Sequence, residues 1–343
     1  MNKNPRKQLR WQLPLLLLLI AGTIFIVRQK QALPYQKNTG LIFGTIYNIT
    51  YQSEQDLQME IESALDSLDA TFSMFNENSI VAKLNRNEQP ALTPTFIMIF
   101  KDAQKVSEDT NGAFDITVGP LVNAWGFGFK HEQMPTPAKV DSLRKYVGMQ
   151  LIGLNADETQ VEKKYPGVVL DFSAIAKGYS CDVVAKLFES KGIENYMVEI
   201  GGEVSTKGVN PNGKPWRIGV TKPTEGSHSL NEELQTVLNV TDRAMATSGN
   251  YRNYYYKDGR KLAHTIDPRT GYPVQHNLLS ATVLADDCAT ADAYATSFMV
   301  LGLDETKTLL ARHPDLMAYL IYTDDEGRIT VWYSPNLEKK INP

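Results

Sequence analysis

Leu57, Ile61, Ala64, Leu65, Leu68 and Phe72 recur at helical spacing over four turns and predict an amphipathic helix with one face on a core. Weaker periodicity predicts helices around Phe96–Ser107 and, after Pro135 and Pro137, around Ala138–Val147. Two more are expected, one from about Ser173 to Ser190 with Gly192 as its stop and one from about Ala289 to Leu301. Alternating or short continuous apolar runs predict strands at Leu41–Tyr51, Val168–Phe172, Tyr196–Ile200, Trp216–Thr221, Thr236–Val240, Ala244–Thr247, Leu279–Ala285, Ala318–Tyr322 and Ile329–Tyr333. Strands outnumber helices and many stand at hairpin spacing. The expected class is α+β, with largely antiparallel sheets and packed helices rather than a doubly wound parallel sheet.

The first residues follow a different pattern. Lys3, Arg6, Lys7 and Arg10 precede an uncharged run from Leu13 to Val27, which Arg28 closes. A basic lead before an apolar run suits a secretory signal, and with Trp11 and Gln12 the run reaches the lower limit of about 17 residues for a membrane span. The positive-inside rule keeps residues 1–10 in the cytoplasm and sends the body across the membrane. Residues 1–28 are therefore expected to form an anchor or a signal segment, 29–40 a tether and 41–340 the working domain. Either reading places the domain outside the cytoplasm.

Charge sharpens this division. The 343 residues carry 35 Lys+Arg and 39 Asp+Glu, a formal net charge of −4. Residues 1–37 hold seven of the basic side chains and no acid, so the body is distinctly acidic and has no basic stripe. Nucleic acid is excluded as the main partner. Rossmann and Walker A loops are absent. Cys181 and Cys288 lack metal-ligand spacing; a disulfide and two buried thiols are both open readings.

Four stretches carry more glycine, hydroxyl and carboxylate than packing needs. One is Asn111–Pro120 with Trp125-Gly-Phe-Gly128, where glycines beside aromatics let a planar ring approach the backbone. Leu170–Tyr179 runs from a strand into a helix N-terminus, with Lys177 one turn in, a setting that can hold phosphate. Thr247–Tyr255 and His264–Gly271 surround His264 with hydroxyls, and the turn sequence Asp-Pro-Arg-Thr-Gly holds it near a hairpin end. In Ala291–Thr296, Asp292 and Thr296 stand at i and i+4, so two hard oxygen ligands share one helix face kept open by alanines. Each stretch also has a plain reading as a turn, a cap or a solvated face.

Taken in order, these stretches, with Gly201-Gly202-Glu203, closely resemble the ApbE family, the FAD:protein FMN transferases. The resemblance spans about residues 40–335. It implies a fold related to the T-fold, with an FAD cleft between lobes, and transfer of FMN from FAD to a threonine hydroxyl of a target flavoprotein, with release of AMP. By position in the family pattern, Asp292 and Thr296 would bind Mg²⁺ through side chains and Ala174 through its carbonyl oxygen. Phe43, Met74, Phe75, Asn76, Asp115, Lys177 and Ile266 fall where the family contacts FAD, and His264 falls at its candidate catalytic histidine. The turn Ser73-Met-Phe-Asn76 departs from the Ser-Thr-Tyr-Arg of many members, and the apolar anchor replaces their lipid-modified cysteine. The acceptor implied is a membrane redox-complex subunit.

Chemistry gives these roles sense. Attack on a pyrophosphate needs charge neutralisation and in-line geometry, which Mg²⁺ supplies, and a threonine hydroxyl needs a base such as imidazole. The same site would serve a FAD pyrophosphatase releasing FMN and AMP. A non-catalytic flavin-binding protein would need none of the three polar groups Asp292, Thr296 and His264.

Overall fold

The computed structural model describes residues 14–23, 33–128, 134–223, 233–251, 254–257 and 260–341. Of the expected anchor, residues 14–23 are helical and the rest lies outside the described residues. Among the described residues no helix is long and apolar enough to cross a membrane.

The chain begins its main sheet with β1 (Tyr35–Ile42) and β2 (Thr45–Gln52), joined by Phe43-Gly44. Both turn residues have positive φ, the backbone of the type I′ turn that matches strand twist in a two-residue hairpin. A hairpin thus replaces the single strand expected over Leu41–Tyr51. Strand also replaces the second half of the expected tether, from Tyr35 onward. β1 is an edge strand, so most of its polar side chains reach solvent and its periodicity is weak; buried Asn38 donates to the Asp56 carboxylate at 2.8 Å.

Helices α1 (Gln58–Phe72), α2 (Ile80–Asn85) and α3 (Pro94–Asp109) follow, the last with Pro94 in its first turn and Thr93 accepting the Phe96 N–H. After α4 (Gly119–Ala124) and α5 (Pro137–Arg144) comes a small hairpin of β3 (Ile152–Leu154) and β4 (Val161–Lys163). The predicted strand Val168–Phe172 pairs with no strand. Instead the Asn85 side chain bonds both backbone groups of Leu170, at 2.7 and 2.9 Å, and Asp171 N–H donates to Ile116 C=O. Val168, Leu170 and Phe172 are buried, in keeping with the apolar run, but Leu170 and Asp171 make their backbone bonds without a ladder.

Helix α6 (Ala176–Ser190) leads to β5 (Tyr196–Ile200) and β6 (Glu203–Lys207), a hairpin whose turn is Gly201-Gly202. A two-stranded flap of β7 (Arg217–Thr221) and β8 (Leu234–Asn239) precedes β9 (Ala244–Gly249). Two further hairpins pair β10 (Tyr254–Lys257) with β11 (Arg260–Ala263) and β12 (Ile266–Asp267) with β13 (Tyr272–Pro273). β14 (Leu278–Ala285), α7 (Cys288–Leu310, broken at Gly302), β15 (Met317–Thr323) and β16 (Ile329–Tyr333) complete the fold.

The main sheet has the order β1-β2-β5-β6-β9-β14-β15-β16 and is antiparallel at every step. The α+β expectation holds. Alternate residues serve opposite faces: Ala281, Val283, Ala318 and Leu320 join the large core with α1, α3, α6 and α7. Leu284, Tyr319 and Ile321 join a smaller core beneath the β7–β8 flap.

Helices α6 and α7 meet at Gly178, where an added Cβ would stand 2.2 Å from the Cys288 carbonyl oxygen and 2.8 Å from Asp292 Cβ. Asp182 seals the same crossing by accepting the N–H groups of Cys288 and Ala289 at 2.8 and 2.9 Å, capping α7 from its neighbour. Burial pushes its carboxyl up to about 7 against those two bonds. Cys181 and Cys288 are buried, free thiols at this crossing. Gly178→Ala should force the helices apart and cost about 1–3 kcal/mol of stability, read as a lowered urea midpoint.

Candidate active site

A cavity of about 830 Å³ opens at the end of the main sheet where the β5–β6 turn projects. That is within the usual range of about 300–1,000 Å³ for small-molecule and cofactor sites. Its walls come from residues 113–122, the 171–177 segment, β5 and β6, β7 of the flap, the end of β9, the 264–268 loop and α7.

The local folding explains what points inward. Asp292 and Thr296 lie one turn apart on α7, and both line the cavity. Asp292 is buried and its Oδ2 accepts the Gly178 N–H at 3.0 Å. Thr296 shares a hydrogen bond with Ser248 at 3.2 Å. Lys177, in the first turn of α6, reaches between carboxylates: its Nζ donates to Glu203 Oε1 at 2.7 Å and stands 3.6 Å from Asp292 Oδ2. Burial alone would depress this ammonium, but Asp292 and Glu203 outweigh it and hold it above the ordinary lysine range. Glu203 is raised by burial, an effect the Lys177 charge opposes and the Asp292 charge reinforces.

Asp115 accepts both the N–H and the hydroxyl of Thr117, at 2.7 and 2.6 Å, and burial pushes its carboxyl up against those bonds. His264 lies between β11 and β12, with the Phe127 ring edge-on at 6.4 Å. Trp125 is buried rather than open to a ligand. Its Nε1–H donates to Gly271 C=O at 2.8 Å, and its own carbonyl accepts from Tyr255 Oη at 3.0 Å. The Trp125–Gly128 stretch therefore braces the histidine loop instead of offering a stacking face.

Residues 43–321 match the profile of the ApbE family. The chain belongs to the ApbE family. An FAD:protein FMN transferase of Haemophilus influenzae is 36% identical over 333 residues, 91% of this chain and 95% of its own length. One of Vibrio cholerae is 38% identical over 300 residues, 84% of this chain and 88% of its own. Among solved structures, the flavin transferase ApbE from Vibrio cholerae aligns with a TM-score of 0.79 at 34% identity, covering 90% of this chain and 99% of that one. The apo form of Pseudomonas stutzeri flavinyl transferase ApbE also gives 0.79, at 29% identity over 90% and 96% of the two chains.

Of the residues marked by the ApbE resemblance, Asp115, Ala174, Lys177, His264, Ile266, Asp292 and Thr296 all line the one cavity. Phe43, Met74, Phe75 and Asn76 do not. Phe43 and Met74 pack against the large core, Phe75 is 71% exposed, and the Asn76 amide donates to Asp69 at 2.8 Å. Ser79 Oγ–H donates to Ser73 C=O at 2.6 Å, which ties that turn to the start of α2 instead of the cavity wall. Glu203 is the site residue that sequence reasoning left without a role; its signal was the double glycine before it. Gly201 and Gly202 both have positive φ, so the turn needs them, and it delivers Glu203 as the first residue of β6.

Asp292 is also less free than an open polar helix face implies. Asp292→Ala strands the buried Gly178 N–H and should cost about 1–3 kcal/mol in urea unfolding. Asp292→Asn keeps an acceptor oxygen and should lose clearly less in the same measurement.

Proposed function

We propose that this chain is a Mg²⁺-dependent FAD:protein FMN transferase acting on a threonine of a flavoprotein acceptor. Membership of the ApbE family over most of the chain supports flavin transfer. The observation that carries the finer reading is that Asp292, Thr296, Lys177 and His264 all line the same cavity.

The donor set fits Mg²⁺. A carboxylate, a hydroxyl and the Ala174 carbonyl are hard oxygen ligands, and all three residues line the cavity. A buried acceptor beside them, Glu203 Oε2, has no partner among the described residues and adds to the local negative field. When bound, the ion would neutralise charge on the pyrophosphate of FAD. The Lys177 ammonium adds a fixed positive charge from the first turn of α6. His264 takes the proton of the acceptor hydroxyl as its oxygen bonds to the FMN phosphorus, and the phosphorus–oxygen bond to AMP breaks. Asp115 and Ile266 line the wall against which FAD lies. The basic-then-apolar start of the chain supports an anchor in a bacterial inner membrane, with this domain and its acceptor, a redox-complex subunit, on the periplasmic side.

Incubation of the chain with FAD, Mg²⁺ and a threonine-bearing flavoprotein should add one FMN moiety, joined through its phosphate, to the acceptor by mass spectrometry, and chelation by EDTA should abolish it. AMP release without acceptor would instead mark a pyrophosphatase, and recovery of intact FAD a binding protein. His264→Ala should lower kcat by about 10²–10⁴-fold while leaving the FAD dissociation constant nearly unchanged. Equal losses in both would assign His264 to binding.

A further inference from the structure

Glu203 shares the helix-side face of the β5–β6 hairpin with core residue Ile200, its register partner, and there it meets Lys177. One ammonium is divided unequally between two buried carboxylates: 2.7 Å to Glu203 Oε1 and 3.6 Å to Asp292 Oδ2. Lys177 thus leans away from the carboxylate that the proposed function assigns to a divalent cation. The Gly201 turn lies alongside its stem, where a Cβ added to that glycine would stand 3.4 Å from Lys177 Cδ.

An ammonium in full contact with Asp292 would occupy that oxygen and repel an incoming cation, and at this range in a buried setting the effect is strong. We propose that Glu203 is a positioning residue that holds the Lys177 ammonium off Asp292, leaving the Asp292 carboxylate open to the metal. It does so through Lys177, whose ammonium its Oε1 accepts from at 2.7 Å. This inference rests on the Mg²⁺ reading above and deepens it.

The test is Mg²⁺ binding to the full chain by isothermal titration calorimetry, without turnover. Glu203→Gln keeps the size of the side chain and removes its charge, so Lys177 should move onto Asp292 and weaken Mg²⁺ binding about tenfold. In a Lys177→Met background the same substitution should cost less than about threefold, because no ammonium remains to be held back. Should Glu203→Gln fail to fold, Glu203→Asp, which shortens the reach to Nζ, should show the same background-dependent loss. Wild-type affinity in the folded Glu203 variant would overturn the proposal. So would an equal loss in both backgrounds, which would make Glu203 a metal ligand or a mere source of charge. Asp292→Asn serves as the separate control: undiminished Mg²⁺ binding there would sink the metal site itself.

Discussion

The crossing of α6 and α7 at Gly178 sets the geometry on which the site depends. No side chain intervenes, so the helices approach until the Gly178 N–H bonds directly to Asp292. That contact sets where the backbone of Lys177, the preceding residue, starts relative to the Asp292 carboxylate, and the bond to Glu203 sets where its ammonium ends. Asp182 locks the same crossing from one turn further along α6 by capping α7. The backbone positions behind Lys177 and Asp292 are therefore a packing outcome of two rigid helices.

The other walls are brought to that crossing by turns. Gly201-Gly202 swings β6 so that its first residue faces Lys177, while the next, Val204, and Glu199 on β5 line the cavity from the opposite face of the sheet. The histidine loop is held by an aromatic brace: Trp125 reaches Gly271, Tyr255 reaches Trp125, and Phe127 stands against His264. A base on a loop needs such support if it is to keep its place relative to groups on helices.

Much of this was legible because it is local. The stripe from Leu57 to Phe72 and the i, i+4 pair Asp292/Thr296 follow from helix periodicity alone, and both appear as expected. What failed was long-range or polar. β6 carries Val204-Ser-Thr206, which lacks an apolar alternation, and it is recognised as a strand only by its pairing with β5 and β9. Val168–Phe172 has the composition of a strand but finds Asn85 and Ile116 instead of a neighbour. The Lys177–Glu203 pair joins residues 26 positions apart, a distance that no window of periodicity spans. The turn Met74–Asn76 is tied instead by its own bonds, Asn76 to Asp69 and Ser79 to Ser73, contacts that no pattern of apolar positions announces.

The two free thiols sit in the same helix crossing, Cys181 donating to Glu203 C=O and Cys288 to Met245 C=O. Burial raises both above the ordinary thiol range, so neither presents a thiolate to a reagent while the helices are closed. Labelling of either sulfur requires the crossing to part. The rate at which a maleimide or a disulfide reagent captures them is consequently a clock for the opening of the helix pair, kept by the native side chains with no added probe.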